Sequence, residues 1–600
     1  MYSSNKKFHI WVGALALILF IYLIVRSICV PILHDEVSTY LIYIKSGNFW
    51  PWSAWLDANN HILNSFAVHK MYQWFGPSPH YLRFPNVLSW LLFAVSVIGI
   101  SHSLKDIRLR YGFVFVLFLS HGFIEFFAFA RGYGMSMAFL TFSLWMVFEI
   151  HRKQSIIFAT FAILGLILAL MANLTLLPSV GMIVVYVFVL WLRKYRGAKA
   201  LHNAINILSV IVFAVVFLYA AGYSFKLKSM NLLYYGGEQG FFNAILKTHG
   251  QMLFDSVSPI LLWSIVVLFV IFVVGFIIQF FKVRRRIFEP AVILFPFLFL
   301  GSIGVIFLMY FMMGVNFPED RTSLFLYPYF IGFIFFTAEL FKEKYRKFLI
   351  IPLLYIPLNF MLHINTSYSF HWYYERIPVN FPRIVAEHSG NISPSQVTIS
   401  GYKIHHQIWG YHVAHDVNGV NLINPSNYPN NLDDFILLRP QEADSMPGYF
   451  DDYEMLATDR YSGLQLLKHK HFAERKLVFE KNIIYELTLT ENEFIEFFPD
   501  TIFDFCGKSL VFEFDIEFEK GCGAEGSVMV ASVRDSANNT LQYQGLESEW
   551  MSLLPVSDFN YSLSVLNIPE NAAGIVVYIW NKHKKILRIK HASIRVCEFG

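Results

Sequence analysis

Charged residues are scarce in this sequence: lysine, arginine, aspartate and glutamate together make up 15% of its 600 residues. Soluble globular chains carry about 25%, so the composition excludes an ordinary soluble protein. The basic residues form short clusters between apolar runs, and the net charge is only +4. Nucleic-acid binding proteins concentrate positive charge on one surface, so no nucleic-acid partner is expected.

Cysteine is scarce as well, with four residues in the chain. Cys29 ends the first apolar run, whereas Cys506, Cys522 and Cys597 all fall near the C-terminus. No CxxC pair or Cys/His cluster has the spacing of a zinc site. The three C-terminal cysteines permit one disulfide and leave one thiol, and the sequence does not choose the pairing.

Apolar residues are abundant instead, at 56% of the chain, with 62 phenylalanines. Runs of about 20 apolar residues, the length that crosses a bilayer core, recur through the first 365 positions. The first run begins after seven residues and lacks a small-residue cleavage site, which predicts an uncleaved anchor. Eleven spans are predicted, near residues 8–30, 82–103, 110–129, 133–150, 155–172, 174–192, 203–222, 258–281, 291–313, 323–341 and 347–363.

Basic residues accumulate in every second loop, counted from the N-terminus. The clusters are Lys6 and Lys7; Lys105, Arg108 and Arg110; Arg152 and Lys153; Arg193, Lys194, Arg196 and Lys199; Lys282 and Arg284 to Arg286; and Lys342, Lys344, Arg346 and Lys347. The positive-inside rule makes these loops and the N-terminus cytoplasmic. An odd number of spans then places the loop after the first span, and everything beyond residue 365, on the extracytoplasmic face.

The composition changes after residue 365. Residues 366–472 mix short apolar runs with Pro- and Asn-rich stretches, which favours a small α/β domain. Residues 473–600 alternate apolar and polar positions, as in "KSLVFEFDIEFEK", which is typical of a jelly-roll-like β-sandwich. The predicted fold is therefore a polytopic α-helical membrane domain over 1–365, followed by these two exported domains.

The first outer loop contains two adjacent carboxylates in "HDEVSTY", Asp35 and Glu36. On a helix, consecutive side chains project about 100° apart, so the two are expected to have different roles, one catalytic and one positioning a neighbour. The alternative is an ordinary acidic first turn of a helix. "LDANNHILNS" follows, and its Asn59, Asn60 and His61 offer groups that suit sugar hydroxyls or phosphate oxygens; the alternative is a helix cap.

Three arginines lie where predicted spans meet the outer face. Arg83 opens the second span, Arg131 stands beside Tyr133 in "ARGYGM", and Arg321 follows Asp320 in "FPEDRTS". Each could bind a phosphate, or merely extend towards lipid headgroups or pair with a neighbouring carboxylate. A base together with cations, and no general acid, is what sugar transfer from a polyprenyl phosphate needs. A glycosidase would need two opposed carboxylates about 5 Å or more apart. The adjacent residues Asp35 and Glu36 cannot supply such a pair within one site.

The order of these motifs resembles the GT-C superfamily of integral-membrane glycosyltransferases, near the protein O-mannosyltransferases and lipid A aminoarabinose transferases. The matching stretches are "HDEVSTY", "NNHILNS", "FGPSPHYLRFPNVLSW", "ARGYGMSMAFL" and "FPEDRTSLFLYPY", within residues 1–365 and strongest over 30–140. The resemblance implies that Asp35 is the catalytic base, followed by a second acidic residue, Glu36, with Arg131 and Arg321 near the carrier phosphate. "NNHILNS" replaces a Pro-rich stretch of many relatives, so the donor sugar stays open.

The expected function is a hexosyl- or pentosyltransferase that moves a sugar from a polyprenyl-phosphate donor to a hydroxyl of a protein, lipid or polysaccharide acceptor. Its expected location is a bacterial inner membrane, with the C-terminal domains periplasmic. A divalent cation, Mg²⁺ or Mn²⁺, at Asp35, Glu36 and His61 is a further hypothesis that no motif spacing requires. The alternative function is a transporter or flippase of lipid-linked sugars, but ionisable residues cluster at span ends, with Glu125 as an exception.

Overall fold

A computed structural model describes most of the chain. The described residues are 2–153, 155–194, 200–233, 236, 240–254, 258–283, 286, 288–402, 404–417, 419–423, 431–444, 451–483, 488–500, 505–519, 527–547, 561–582, 584 and 586–599. The chain divides into two compact units. The helical unit comprises Met1–Val30 and Tyr43–His371, and the mixed unit comprises Pro31–Ile42 and Trp372–Gly600.

Helices make up most of the helical unit. In chain order, the α-helices of both units are α1 (Tyr2–Cys29), α2 (His34–Thr39), α3 (Ile62–Phe75), α4 (Pro79–Ser101), α5 (Ile107–Phe118), α6 (His121–Ile124), α7 (Gly132–Arg152), α8 (Ile157–Ala172), α9 (Leu177–Lys194), α10 (Ala200–Ser229), α11 (Lys247–Phe254), α12 (Pro259–Val283), α13 (Pro290–Met313), α14 (Leu326–Glu339), α15 (Glu343–Ile350), α16 (Tyr355–Leu362), α17 (Phe381–Glu387), α18 (His406–His415) and α19 (Pro440–Asp444). Of these, α2 and α17 to α19 belong to the mixed unit.

The prediction of a many-helix membrane region is confirmed. Among the described residues, eight helical segments are long and apolar enough to cross a membrane, or nine if one bent pair is counted as a single span. The eight segments are Lys6–Cys29, Pro79–Ser101, Gly132–Arg152, Leu174–Arg193, Ala200–Ser229, Pro259–Lys282, Pro290–Met313 and Glu343–Leu362. The fifth and tenth predicted spans are shorter apolar helices, α8 with 16 residues and α14 with 14.

The third predicted span is the bent pair. The helical segments Ile107–Phe118 and His121–Ala128 meet at 61°. The break has a local cause, since Ser120 adopts an extended backbone and its hydroxyl donates to the carbonyl of Met252 at 2.8 Å. The next residue, His121, bonds through Nε2 to the carbonyl of Phe360 at 2.9 Å. Because these polar side chains bond to other segments, a straight helix does not continue through them.

Aromatic rings fill the core of the helical unit. Trp90 packs with Phe118 and Phe127 at ring-centroid distances of 5.0 and 5.3 Å. Gly332 accepts the ring of Phe295, and a Cβ at that glycine would collide with the ring. Between helices in lipid, close packing rather than the hydrophobic effect supplies the attraction. The many phenylalanines therefore have a packing role, since their rings pack against each other and against small residues such as Gly332.

The mixed unit begins with a four-stranded sheet. Its strands are β1 (Ile399–Gly401), β2 (Phe435–Leu438), β3 (Tyr453–Thr458) and β4 (Gln465–His469), in the order β1-β2-β4-β3. The pair β1 and β2 is parallel, whereas β4 is antiparallel to both of its neighbours. With α17 to α19 in the same stretch, this part of the chain combines helices with a mixed sheet. The predicted domain bounds, 366–472 and 473–600, stay predictions.

Two further sheets follow. Their strands are β5 (Arg475–Ile483), β6 (Thr488–Thr490), β7 (Phe494–Asp500), β8 (Leu510–Phe518), β9 (Ser527–Asp535), β10 (Thr540–Glu547), β11 (Tyr561–Val565), β12 (Ala572–Asn581) and β13 (Leu587–Phe599). One sheet has the order β10-β9-β12-β7, and the other β11-β8-β13-β5, with β6 also on β13. All these pairings are antiparallel. The sheet-rich C-terminal region expected from period-two alternation is confirmed.

Three of the four cysteines lie in the part of the chain that the structure describes. Cys29, Cys506 and Cys597 form no disulfide within the part of the chain that the structure describes. Cys522 lies outside the described residues, so the cysteine pairing stays a prediction.

Candidate functional site

A cavity of about 240 Å³ lies within the helical unit. From α10 it is lined by Ala221, Ser224, Phe225 and Lys228, and from α13 by Ser302, Ile306, Met309 and Met313. Residues spaced by three or four positions share one face of a helix, so each helix presents a single stripe to the cavity. The two stripes are mainly apolar, with Lys228 in the last turn of α10 as the charged exception.

Four of the residues selected from the sequence line this cavity: Asn59, His61, Tyr133 and Arg321. His61 is buried, and its Nδ1 bonds to the carbonyl of Ala172 at 2.8 Å. Its ring meets that of Tyr133 edge-on, with the centroids 4.7 Å apart. A Cβ at Gly132 would collide with the Ala172 carbonyl and crowd His61. The glycine of the "ARGYGM" motif therefore permits the close approach that fixes His61.

Arg131 supports the cavity wall without lining it. Arg131 is 4% exposed, and its Nη2 donates to Oδ1 of Asn59 at 2.9 Å. It also stands over the Tyr133 ring, 5.8 Å from the centroid. The charge therefore orients two cavity residues, and a charge-assisted hydrogen bond of this kind is stronger than a neutral one.

Arg321 comes from the 3₁₀ turn Asp320–Ser323, which precedes α14. Its side chain is 8% exposed, and its Nη1 lies 3.7 Å from the Asp320 carboxylate. Asp320 has a φ of 50°, in the left-handed region, and its N–H donates to the Thr248 hydroxyl at 2.8 Å. Such a conformation in a residue other than glycine costs about 1 kcal/mol. Neighbouring contacts thus hold the loop in the one arrangement that presents Arg321 to the cavity.

Several residues that line the cavity are not identified by any motif in the sequence. Besides Lys228 and Ser302, the polar lining includes Asn173, Thr175, Ser179, Asn316 and Thr322. The sequence does contain a signal for Lys228. Lys226 and Lys228 follow an apolar run on the side that the charge pattern predicts to be extracytoplasmic, where basic residues are few. No comparable signal marks Ser302, a lone serine within an apolar helix.

Two other predicted residues do not line the cavity. Arg83 is fully buried, and its Nη1 donates to the carbonyls of Ser27 and Val30 at 3.2 and 2.6 Å. It therefore satisfies carbonyl groups at the end of α1, which lack partners within the helix. Asn60 donates through Nδ2 to the carbonyl of Phe49 at 3.0 Å, which anchors the preceding loop.

Asp35 and Glu36 both lie on α2, in the mixed unit. Glu36 is fully buried, and its Oε2 accepts from the N–H of Leu33 at 3.0 Å. That contact caps the start of α2, which is a positioning role. Asp35 is half-buried, and its backbone carbonyl accepts from the Thr39 hydroxyl at 2.8 Å. The two adjacent carboxylates thus have different surroundings, and their separate roles stay a prediction.

No group of three or more His, Cys, Asp or Glu residues in the described ranges could hold a metal ion. The divalent cation at Asp35, Glu36 and His61 stays a prediction.

No family model and no curated protein matches this chain. Among solved structures, it is similar to ArnT from Cupriavidus metallidurans bound to undecaprenyl phosphate, with 11% identity, 77% of this chain and 98% of that chain covered, and a TM-score of 0.40. The apo state of the same ArnT gives a TM-score of 0.35 with the same identity and coverage. Arabinosyltransferase EmbB from Mycobacterium smegmatis gives 10% identity, 98% and 64% coverage, and a TM-score of 0.37. With TM-scores of 0.35 to 0.40, these likenesses are distant.

Proposed function

We propose that this protein is an integral-membrane glycosyltransferase that moves a sugar from a polyprenyl-phosphate donor to an acceptor hydroxyl. The observation that carries the proposal is the two-part lining of the cavity among the helices. One part is cationic and polar, with Arg321, Lys228, Asn59 and His61, and the other is the apolar stripe of α13. A lipid-linked sugar phosphate has the same two parts.

The donor's phosphate is assigned to Arg321 and Lys228. Arginine offers a planar pair of N–H donors to phosphate oxygens, while lysine acts as a compact point charge. Both charges would stabilise the negative charge that develops on the phosphate as the sugar departs. The amide and imidazole groups of Asn59, Asn173 and His61 suit sugar hydroxyls, and the apolar stripe suits the isoprenoid.

Asp35 is assigned the role of general base. The bond between the sugar's anomeric carbon and the phosphate oxygen breaks, and a bond from that carbon to the acceptor oxygen forms. The acceptor's proton passes to Asp35, and polyprenyl phosphate leaves as an anion without needing a general acid. The resemblance of "HDEVSTY" to the first outer loop of the GT-C superfamily supports this assignment. The reaction is placed on the extracytoplasmic face, in a bacterial inner membrane, with a protein, lipid or polysaccharide hydroxyl as acceptor.

The test is transfer of a labelled sugar from its polyprenyl phosphate by the full chain in lipid nanodiscs, with a membrane extract supplying acceptors. Asp35→Asn keeps the size of the side chain and removes the base, so it should lower transfer by about a thousandfold or more. Donor binding should change by less than about threefold, because no contact to the phosphate is lost.

Asp452→Asn is the matched control, since Asp452 is an exposed carboxylate of the same unit. It should transfer like the wild type. Donor binding without transfer by the wild type, under every acceptor condition, would contradict the proposal and favour a transporter of lipid-linked sugars. Transfer by Asp35→Asn at the wild-type rate would remove Asp35 from the mechanism.

A further inference from the structure

The α2 helix belongs to the same unit as the chain beyond residue 372, although more than 300 residues separate them in sequence. Its contact there is with α18 and the residue just before it. The rings of His34 and His405 are stacked, with their centroids 4.3 Å apart and their planes at 25°. Further along, Tyr40 meets the rings of Tyr411 and His415 edge-on, at 5.7 Å in both cases. Aromatic contacts therefore hold α2 at both ends.

His405 also faces Glu375, with its Nε2 3.6 Å from Oε1 of that residue. Glu375 belongs to the 3₁₀ turn Tyr373–Glu375, so the imidazole lies between this turn and the first turn of α2. Asp35 follows His34 directly, and the Asp35 carboxylate is one of the charges that act on His405. The ring thus belongs to the immediate surroundings of the assigned base.

We propose that His405 is a positioning residue for Asp35: its imidazole, stacked on His34 and facing Glu375, fixes the turn of α2 from which Asp35 projects. The inference rests on the proposed function, since it concerns how the assigned base is held. It gives the exported region a part in the chemistry rather than an accessory role.

The neutral state of the imidazole also suits a position beside Asp35. Burial, together with His34 and His406, lowers the pKa of His405 to about 4, while Asp35 acts in the opposite direction. The imidazole is therefore neutral at pH 7, and Asp35 has no cation on this ring beside it. A cation next to a carboxylate lowers the pKa of that carboxylate by about 1–3 units, which would make it a weaker base. The charged or titratable groups that act on His405 are His34, Asp35, Glu375, His406 and Arg439.

The test uses three substitutions at one position in the full chain. His405→Ala removes the stack and the polar contact, and it should lower kcat by about tenfold with KM for the donor within about twofold. His405→Phe keeps an aromatic ring against His34 and should recover most of that loss. His405→Lys places a cation beside Asp35 and should move the acidic limb of the kcat/KM profile to lower pH by about one unit.

His388→Ala is the control, because His388 is an exposed histidine of the same unit whose Nδ1 bonds only within its own helix turn, to the carbonyl of Ile384. It should behave like the wild type. A merely structural role for His405 would lower the melting temperature and the active fraction, and it would leave the pH profile and the kcat-to-KM split of the active protein unchanged.

Failure of the positioning role and failure of the proposed function give different results. If the wild type transfers sugar, Asp35→Asn does not, and all three His405 variants keep the wild-type kcat and pH profile, the positioning role is overturned and the proposed function stands. If Asp35→Asn transfers like the wild type, Asp35 is not the base and the role of His405 falls with it.

Discussion

Two arginine–carboxylate pairs in the helical unit differ in how completely they are enclosed. Arg26 and Glu125 are 2% and 1% exposed and lie 2.9 Å apart, whereas Arg321 and Asp320 are 8% and 26% exposed and lie 3.7 Å apart. Glu125 also accepts from the N–H groups of Phe370 and His371, at 2.8 and 3.1 Å. Arg26 and Glu125, here called the closed pair, thus link the segment after the last apolar helix to α1 and to the turn that follows α6.

The difference separates a structural charge from a candidate functional one. A buried carboxylate with three donors is compensated, and its cost of desolvation is offset locally. Arg321 lies 3.7 Å from the partly exposed Asp320 and lines a cavity with a second cation, Lys228. Two cations beside an apolar stripe suit an anion with a lipid tail, whereas the closed pair suits no ligand.

Breaking the closed pair should have the largest effect on stability. Glu125→Ala leaves the Arg26 guanidinium buried without its counter-ion, so it should lower the free energy of unfolding by about 3–5 kcal/mol. Thermal melting of the purified protein in detergent measures this. Glu343→Ala is the control, since the pair Arg108–Glu343 is 2.6 Å long but exposed, and it should melt like the wild type. Equal melting of the two variants would show that burial does not distinguish these pairs.

A third arginine extends the comparison to the mixed unit. Arg475 pairs with Asp434, which is fully buried, and lies 3.8 Å from Glu513. Burial raises the pKa of both carboxyl groups above their ordinary values, against the effect of Arg475. A raised folded-state pKa means that protonation favours the fold, and this stabilisation is lost as the pH rises through that pKa.

Arg475→Gln removes the opposing cation, so both pKa values should rise further and the loss of stability should grow with pH. We expect about 3 kcal/mol at pH 8 and a smaller loss at pH 5. Hydrogen exchange in β2 and β8, corrected for its intrinsic pH dependence, measures the effect. Lys590→Gln, at the exposed pair with Glu517, should leave the protection unchanged. A loss at Arg475→Gln that is equal at both pH values would exclude the carboxyl groups as its cause.

Breaking the more exposed pair, Arg321–Asp320, should have a smaller effect on stability and a specific effect on activity. Arg321→Ala should lower kcat/KM for the polyprenyl-phosphate donor by about a hundredfold, or about 2.7 kcal/mol of transition-state stabilisation. Its melting temperature should stay close to that of the wild type, because Asp320 keeps access to solvent. Arg321→Lys should restore part of the activity by keeping the charge. A variant that melts early and keeps its kcat/KM would reverse the assignments of the two pairs.

Local patterns account for most of the fold class. Apolar runs of about 20 residues predict membrane helices because a bilayer core has that thickness. The alternation in segments such as Leu510–Phe518 predicts strands because side chains of a strand point to opposite faces. The bend at Ser120 and the short helix α8 were not predicted, since hydropathy alone does not register where polar side chains find partners in other segments.

The sequence predicts which residue types form the site better than it predicts which individual residues line the cavity. Asn59, His61, Tyr133 and Arg321 were selected from the sequence and line one cavity. Arg83 carries the same chemistry and caps α1 instead. Whether an arginine lines the cavity or caps a helix depends on which carbonyls and cavities lie within reach of its guanidinium. That information comes from packing between segments far apart in sequence.

Local sequence patterns suffice to predict a many-helix membrane region followed by sheets, and the order of the motifs leads to the expectation of a polyprenyl-phosphate glycosyltransferase. The packing of distant segments is needed to place α2, with Asp35, in the same unit as the chain beyond residue 372, and to bring Lys228 and Arg321 to one cavity. Periodicity and hydropathy act over neighbouring residues. Cavities, ion pairs and ring stacks form between segments that the chain brings together only when it packs.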